Sequence, residues 1–142
     1  MPLMFLSYPT GSFTPDALDR VVEQVTRDGE ALEGLPLTEY VLSTTWVYAR
    51  EYGEMQVYHG GKPGGNKCIT IEINVLQGGY HAASKKELIK RVTDTIGKHA
   101  KLPEPRRVYV IVREVAEANW GFDGQLISLE ALRNRSADEE PL

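Results

Sequence analysis

Apolar and polar positions along this chain follow a grammar that is used twice. Residues 2–8 form a short, mostly apolar run that ends at the breakers Pro9, Thr10, Gly11 and Ser12, which predicts a strand followed by a loop. Thr14 then stands as a helix N-cap with Pro15 at the first helical position, where a missing N–H costs nothing. Leu18, Val21, Val22, Val25 and Leu32 follow at helical spacing, and Gly34 with Pro36 stops the helix. Residues 40–48, rich in Val, Thr, Trp and Tyr, predict a second strand.

The second half repeats the order. In residues 68–76, Ile69, Ile71, Ile73 and Val75 alternate with Thr70, Glu72 and Asn74, as in a half-buried strand that Gly78 and Gly79 break. Ser84-Lys85-Lys86-Glu87 has the spacing of a capping box, and Leu88, Val92 and Ile96 give the helix behind it an apolar stripe ending at Leu102-Pro103. Residues 108–115 read as a β-branched strand. Placing Thr14 over Ser84 brings Leu18 over Leu88 and Val22 over Val92, so the chain reads as two β-α-β repeats, 2–50 and 67–116, in one domain spanning 1–133. Between them a short strand is expected around Met55-Gln56-Val57-Tyr58. His59-Gly60-Gly61-Lys62-Pro63-Gly64-Gly65 is expected to be a mobile connector, since no strand-to-helix context makes it a phosphate cradle. The polar, acidic tail 134–142 is expected to be disordered. Two β-α-β units side by side give an α/β (α+β) fold, a four-stranded sheet with both helices on one face. The other face then calls for cover, which an oligomer supplies.

Composition narrows the function classes. The chain has 142 residues, 42% hydrophobic and 25% charged, as in an ordinary globular domain. A net charge of -4, with only Lys85-Lys86 and Arg106-Arg107 as basic runs, argues against a nucleic-acid partner. The single cysteine, Cys68, allows no internal disulfide and sits among strand isoleucines like a packing group. No apolar stretch reaches the roughly 20 residues that a bilayer-spanning helix needs. The start Met1-Pro2-Leu3-Met4-Phe5-Leu6 lacks the features of a leader, so a cytoplasmic protein without a membrane partner is expected.

A starting Met-Pro that leads directly into a strand of a tandem β-α-β chain resembles the tautomerase superfamily. The likeness is to its longer members around cis-3-chloroacrylic acid dehalogenase and malonate semialdehyde decarboxylase. Its markers are Met1-Pro2-Leu3, Phe13-Thr14-Pro15, and residues 113–122, Arg113-Glu114-Val115-Ala116-Glu117-Ala118-Asn119-Trp120-Gly121-Phe122, which look like the family's Glu-x4-Asn/Asp-Trp-Gly/Ser ending. The resemblance implies a homotrimer with the amino-terminal proline at the base of a pocket between strands and subunits. Several departures stand beside it. Gly29 occupies the place of the dehalogenase's histidine, and residues 77–83 carry none of the paired arginines of either pattern. Asn119-Trp120-Gly121-Phe122 offers no clear match to the dehalogenase's activating glutamate, and Thr38 and Glu39 stand near the decarboxylase's aspartate. Neither activity is carried over.

Pro2 is the catalytic candidate. Once Met1 is removed its nitrogen is a secondary amine, and a free α-amino group titrates near pH 8. An apolar pocket disfavours the ammonium and yields a neutral base close to pH 7. With Met1 attached, the same nitrogen is an amide and cannot act. For a carboxylate-bearing substrate, Arg113 is the leading cation, because it shares strand parity with Tyr109 and Ile111; an ion pair with a neighbouring strand or subunit is its other reading. Arg50, Lys62 and His81 are weaker candidates. Trp120 and Phe122 would wall a dry pocket, Asn119 and Tyr109 (with Tyr40 behind it) would meet substrate oxygens, and Glu39 would shuttle a proton. Each of these also has an ordinary packing, turn or solvated role. His59, His81 and His99 lack ligand spacing, so neither a metal nor another cofactor is expected. The expected function is a tautomerase acting on a small enol or 2-oxo carboxylic acid, with Pro2 as general base. Alternatives are a dehalogenase, hydratase or decarboxylase of three-carbon acids working with protonated Pro2, and a non-catalytic trimeric binding protein of the same fold.

Overall fold

The alternating run at residues 68–76 becomes the strand on which the sheet is organised. The computed structural model describes residues 1–64, 67–102 and 107–142. Strand β1 (Leu3–Pro9), helix α1 (Pro15–Leu32), helix α2 (Glu39–Ser43) and strand β2 (Trp46–Tyr52) form the first unit. A hairpin of β3 (Tyr58–His59) and β4 (Lys62–Pro63) follows. The second unit is β5 (Cys68–Leu76), α3 (Ala82–His99) and β6 (Arg107–Val115). After it come the hairpin strands β7 (Gly121–Phe122) and β8 (Gln125–Leu126), and helix α4 (Leu129–Arg133).

The main sheet has the order β2-β1-β5-β6. Each unit pairs its own two strands in parallel, β1 with β2 and β5 with β6, while β1 and β5 meet antiparallel. This is the expected fold class, two β-α-β repeats joined at their first strands. Met4, Leu6, Ile69, Ile71 and Ile73 point to one face at 0% exposure and pack with Val21, Val25, Leu88, Val92 and Ile96 of α1 and α3. Burial of each such side chain contributes roughly 1.5–3 kcal/mol. The opposite face is left bare. Phe5 stacks on Tyr48 there at 5.3 Å, Arg50 lies over the Phe5 ring at 5.0 Å, and Tyr109 and Ile111 stand exposed.

Three sequence expectations need correction. Residues 40–48 are not one strand. Thr38 caps a short helix by accepting from the Val41 N–H at 3.2 Å, Val41 is fully buried, and the strand starts only at Trp46. The cap of α3 is His81, whose Nδ1 accepts from the Ser84 N–H at 3.2 Å while Ser84 Oγ accepts from the His81 N–H at 3.0 Å. Ser84 is therefore the third helical residue rather than the cap, and the helix starts earlier than the Ser84-Glu87 pattern suggested. Residues 54–56 form a turn of 3₁₀ helix, and the connector beyond them folds into the β3–β4 hairpin, whose tip residues Gly60 and Gly61 take the positive φ that a tight turn needs. Gly65, Pro103 and Arg106 lie outside the described residues. Beyond α4 the tail turns back: the Arg135 guanidinium lies 4.9 Å over the Tyr40 ring and the Leu142 N–H donates to Ser43 Oγ at 2.9 Å.

Candidate functional site at the start of the chain

The start of the chain is drawn inward. Pro2 is buried, and its carbonyl accepts from the Trp46 N–H at 3.2 Å, which sets Leu3 opposite Trp46 and Phe5 opposite Tyr48. Its ring lies directly on α1 at Gly29, where an added Cβ would meet Pro2 Cγ at 3.2 Å and Met4 Cε at 3.1 Å. Gly29, which replaces an expected histidine, is thus the residue that lets β1 approach the helix this closely.

Pro2 forms part of a cavity of about 200 Å³ walled by Trp46, Tyr48, Trp120 and Phe122. The segment after β6 supplies the last two: a turn of 3₁₀ helix at Glu117–Asn119 redirects the chain, and the β7–β8 hairpin folds over the sheet end. Met1 borders this cavity and also a second one of about 180 Å³, lined by Tyr40, Phe122, Arg135 and Leu142. A shallower hollow beside Trp120 is lined by Phe5, Asn74 and Asn119.

Two carboxylates that the sequence reading passed over stand at the terminus. The Met1 ammonium donates to Glu33 Oε2 at 2.6 Å and to Glu30 Oε2 at 3.2 Å, and both glutamate side chains are fully buried. The Thr45 hydroxyl donates to Glu30 Oε1. Among the described residues, Glu33 Oε1 has no hydrogen-bond partner. Burial pushes the Glu30 carboxyl above the usual range, and the nearby ammonium and the Thr45 hydroxyl only partly oppose that. The Tyr80 hydroxyl donates to the Gly29 carbonyl at 2.5 Å, and burial, then the Glu33 and Glu30 charges, push its phenol up. The terminus, expected to sit in purely apolar surroundings, therefore has two buried carboxyls packed against it, although neither lines the Pro2 cavity. The signal was present in the sequence as Glu30 and Glu33 at i, i+3, the first in the last turn of α1 and the second its C-cap, a pattern that ordinarily marks a solvated face.

Of the sequence candidates, the structure brings together Pro2, Trp120 and Phe122. Asn119 lines the adjoining hollow. Arg113 is on the bare face, ion-paired with Glu72 and in register with Asn74 of that hollow, so the ion-pair reading describes it in this chain. Tyr109 pairs with Thr70, four residues from Arg113 along β6 or about 13 Å, and lines a different cavity with Tyr58 and Cys68. Glu39 is exposed at the first turn of α2 and does not line the Pro2 cavity. Trp46 and Tyr48 were missed because their strand was misplaced by several residues.

Residues 70–130 match the family model described as Tautomerase enzyme. No curated protein sequence matches the chain. Solved structures agree with it in fold over most of its length. A fused 4-OT wild-type asymmetric trimer superposes with a TM-score of 0.71 at 18% identity, covering 94% of this chain and 99% of that one. A member of the cis-3-chloroacrylic acid dehalogenase family gives 0.68 at 18% identity, covering 89% and 83%. RhCC from Rhodococcus jostii RHA1 gives 0.69 at 17% identity, covering 87% and 84%. At these identities the likeness establishes the fold.

Proposed function

We propose that this protein is an enzyme of the tautomerase superfamily whose processed Pro2 amine moves protons on a small carbonyl compound, a reading supported by the family match over residues 70–130 and by a shared fold along nearly the whole chain. The reaction is keto–enol or dienol tautomerisation of a small enol or 2-oxo carboxylic acid, with Pro2 as general base. One observation carries the reading: Pro2 forms part of a cavity that four aromatic side chains, Trp46, Tyr48, Trp120 and Phe122, line together with Leu3, Thr44 and Gly121. Such walls exclude water and stack on flat, conjugated substrates, which are the compounds whose α-protons are acidic enough for an amine to remove. Removal of Met1 has two effects. It converts the Pro2 nitrogen from an amide to an amine, and it takes away the residue bordering two cavities, enlarging the space beside that amine. The proton taken from carbon or enol oxygen rests on the amine as ammonium and returns to a second carbon of the same substrate, so no co-reactant is consumed.

The bare sheet face supports a homotrimer. Trp46 is 48% exposed and Tyr109 61%, large apolar groups that a partner subunit would cover.

A second reading, hydration-type chemistry such as dehalogenation or decarboxylation with Pro2 protonated throughout, is favoured by the buried Glu30 and Glu33 beside the terminus. Intact mass and a pH–rate profile on an arylpyruvate and a 2-hydroxydienoate test both. The expected mass lacks methionine, activity rises with pH through the amine's titration, and Pro2→Ala lowers kcat/KM by about 10²–10⁴. Activity that falls through the same titration selects the second reading. A mature chain that retains Met1, or a Pro2→Ala variant as active as the parent, sinks both and leaves the non-catalytic trimer.

A further inference from the structure

A chain terminus seldom finds two fully buried carboxylates waiting for it. Glu30 and Glu33 each offer one oxygen to the same ammonium, at 3.2 and 2.6 Å. Packing holds both in place. Glu33 is pinned against Gly79, where a Cβ would stand 2.7 Å from its Cγ and Oε1, and Glu30 is held by the Thr45 hydroxyl. Two buried carboxyls without a cation would be driven to bind protons, so a terminal ammonium is what lets the pair carry charge. When Met1 is removed, the new terminus is the Pro2 nitrogen. It lies three bonds from the old one, within about 3.6 Å of it by standard backbone dimensions. The Pro2 ring already packs on Gly29, the residue preceding Glu30. A prolyl ammonium carries two N–H hydrogens, and the site presents one Oε2 from each glutamate, so donors and acceptors match in number.

We propose that Glu30 and Glu33 form a receptor for the chain's terminal ammonium, Pro2's once Met1 is gone, and that they act as positioning residues setting the orientation and proton affinity of that amine. The inference rests on the reading of Pro2 as the working group. It adds the partner that the apolar walls cannot supply. An amine in an aromatic cleft loses proton affinity through desolvation, whereas carboxylates within about 6 Å restore it; at an effective dielectric near 20 one such charge is worth about two pH units.

Other charged or titratable groups border the terminus without touching the ammonium. On the α2 side this is Tyr40. From the α4 side and tail come Arg133, Arg135 (paired with Glu139 at 2.8 Å) and the Leu142 end of the chain. The remaining ones are Tyr48 of β2, Tyr80 ahead of α3, and His81 and Glu87 of the groove behind Glu33.

The test is an NMR titration of the terminal amine in ¹⁵N-proline-labelled, processed protein, with the free peptide Pro-Leu-Met-Phe as reference. The wild-type midpoint is expected at or above the peptide's despite burial. Glu33→Gln is expected to lower it by about one to two pH units, and Glu33→Asp to restore most of the shift. Glu30→Gln gives the same direction and serves if Glu33→Gln does not fold. Equal midpoints in wild type and the Gln variants, or a wild-type midpoint well below the peptide's, would overturn the receptor. The pH–rate limb must move with the same variants, whichever way activity runs along it. A moved midpoint with unchanged turnover in Pro2→Ala keeps the receptor and refutes the enzymatic reading, so the two failures are told apart.

Discussion

Gly79→Ala probes the terminal site from behind without touching Pro2. The added Cβ would stand 2.7 Å from Glu33 Cγ, 2.7 Å from its Oε1 and 3.1 Å from its Cδ. A clash with the far end of a flexible side chain is usually cheap, but this one reaches Cγ, and the carboxylate beyond it is buried and tied to the terminal ammonium at 2.6 Å. Gly79 is not among the positive-φ glycines, so alanine meets no backbone strain there and the whole cost is the contact. Overpacking of this kind costs about 1–3 kcal/mol, and the upper end applies if the carboxylate is pushed off the ammonium. For a chain of this length each kcal/mol lowers Tm by roughly 3–4 °C, so the expected loss is about 3–12 °C by thermal unfolding followed in circular dichroism.

Gly97→Ala is the control. It lies inside α3, its Cβ would meet nothing within 4 Å, and it is expected to stabilise by about 0.5–1 kcal/mol through helix propensity alone. In a Glu33→Ala background the Gly79→Ala penalty should vanish, because the atoms it strikes are gone. A Gly79→Ala protein as stable as the parent, or an equal loss with and without Glu33, would refute the placement of that side chain.

Two further outcomes follow from the same structure. The folded-state affinity of Glu30 for a proton is raised by burial, so its contribution to stability is fully present below about pH 4.3, the unfolded value, and is lost as pH climbs through the raised folded one. Denaturant unfolding at pH 4, 5.5 and 7 should show wild type losing ground to Glu30→Gln as pH rises; a pH-independent difference would contradict the burial of that carboxyl. On the bare sheet face, Ile111 is 38% exposed between Tyr109 and Arg113, and Ile111→Arg should convert a species of three times the monomer mass into monomer by light scattering, with the circular-dichroism spectrum unchanged. A wild-type protein that is monomeric at the outset would refute the covered face.

The five long elements were legible because each carries a local pattern, a period in α1, β5 and α3 and an apolar or β-branched run in β1 and β6. Ile69, Ile71 and Ile73 repeat at two, Leu88, Val92 and Ile96 at about four, and the strands and helices sit where those periods run. Helix α2 was not legible: five residues give too short a window, and Val41 and Tyr40 suggest strand until the Thr38 cap is seen. That local error hid Trp46 and Tyr48 from the site. Arg113 could be assigned a face from strand parity, but its partner Glu72 depends on the register of β5 against β6, which no local pattern fixes. Glu30 and Glu33 were the least accessible. What distinguishes them from solvated helix glutamates is a contact with residue 1, some thirty positions away.

That contact changes which question about substrate charge is the right one. A search for a cation to hold a substrate carboxylate finds Arg50 on the Phe5 ring, Arg113 on Glu72 and Arg135 on Glu139, each already engaged within the chain. The ionisable groups packed against the terminus are two buried glutamates, of which Glu30 has its proton affinity raised by burial. A carboxylate entering the cleft therefore meets attraction either from its own chain, through the amine and the arginines Arg133 and Arg135 near the terminus, or from a cation brought by another subunit across the bare face, where Arg113 stands in register with Asn74 of the neighbouring hollow. A neutral carbonyl substrate needs neither. The dependence of KM on substrate charge thus reads out the assembly: an acid turned over well by the trimer and poorly by the Ile111→Arg monomer locates the missing cation in the partner, whereas an uncharged enol bound equally by both shows that one chain holds all that its substrate requires.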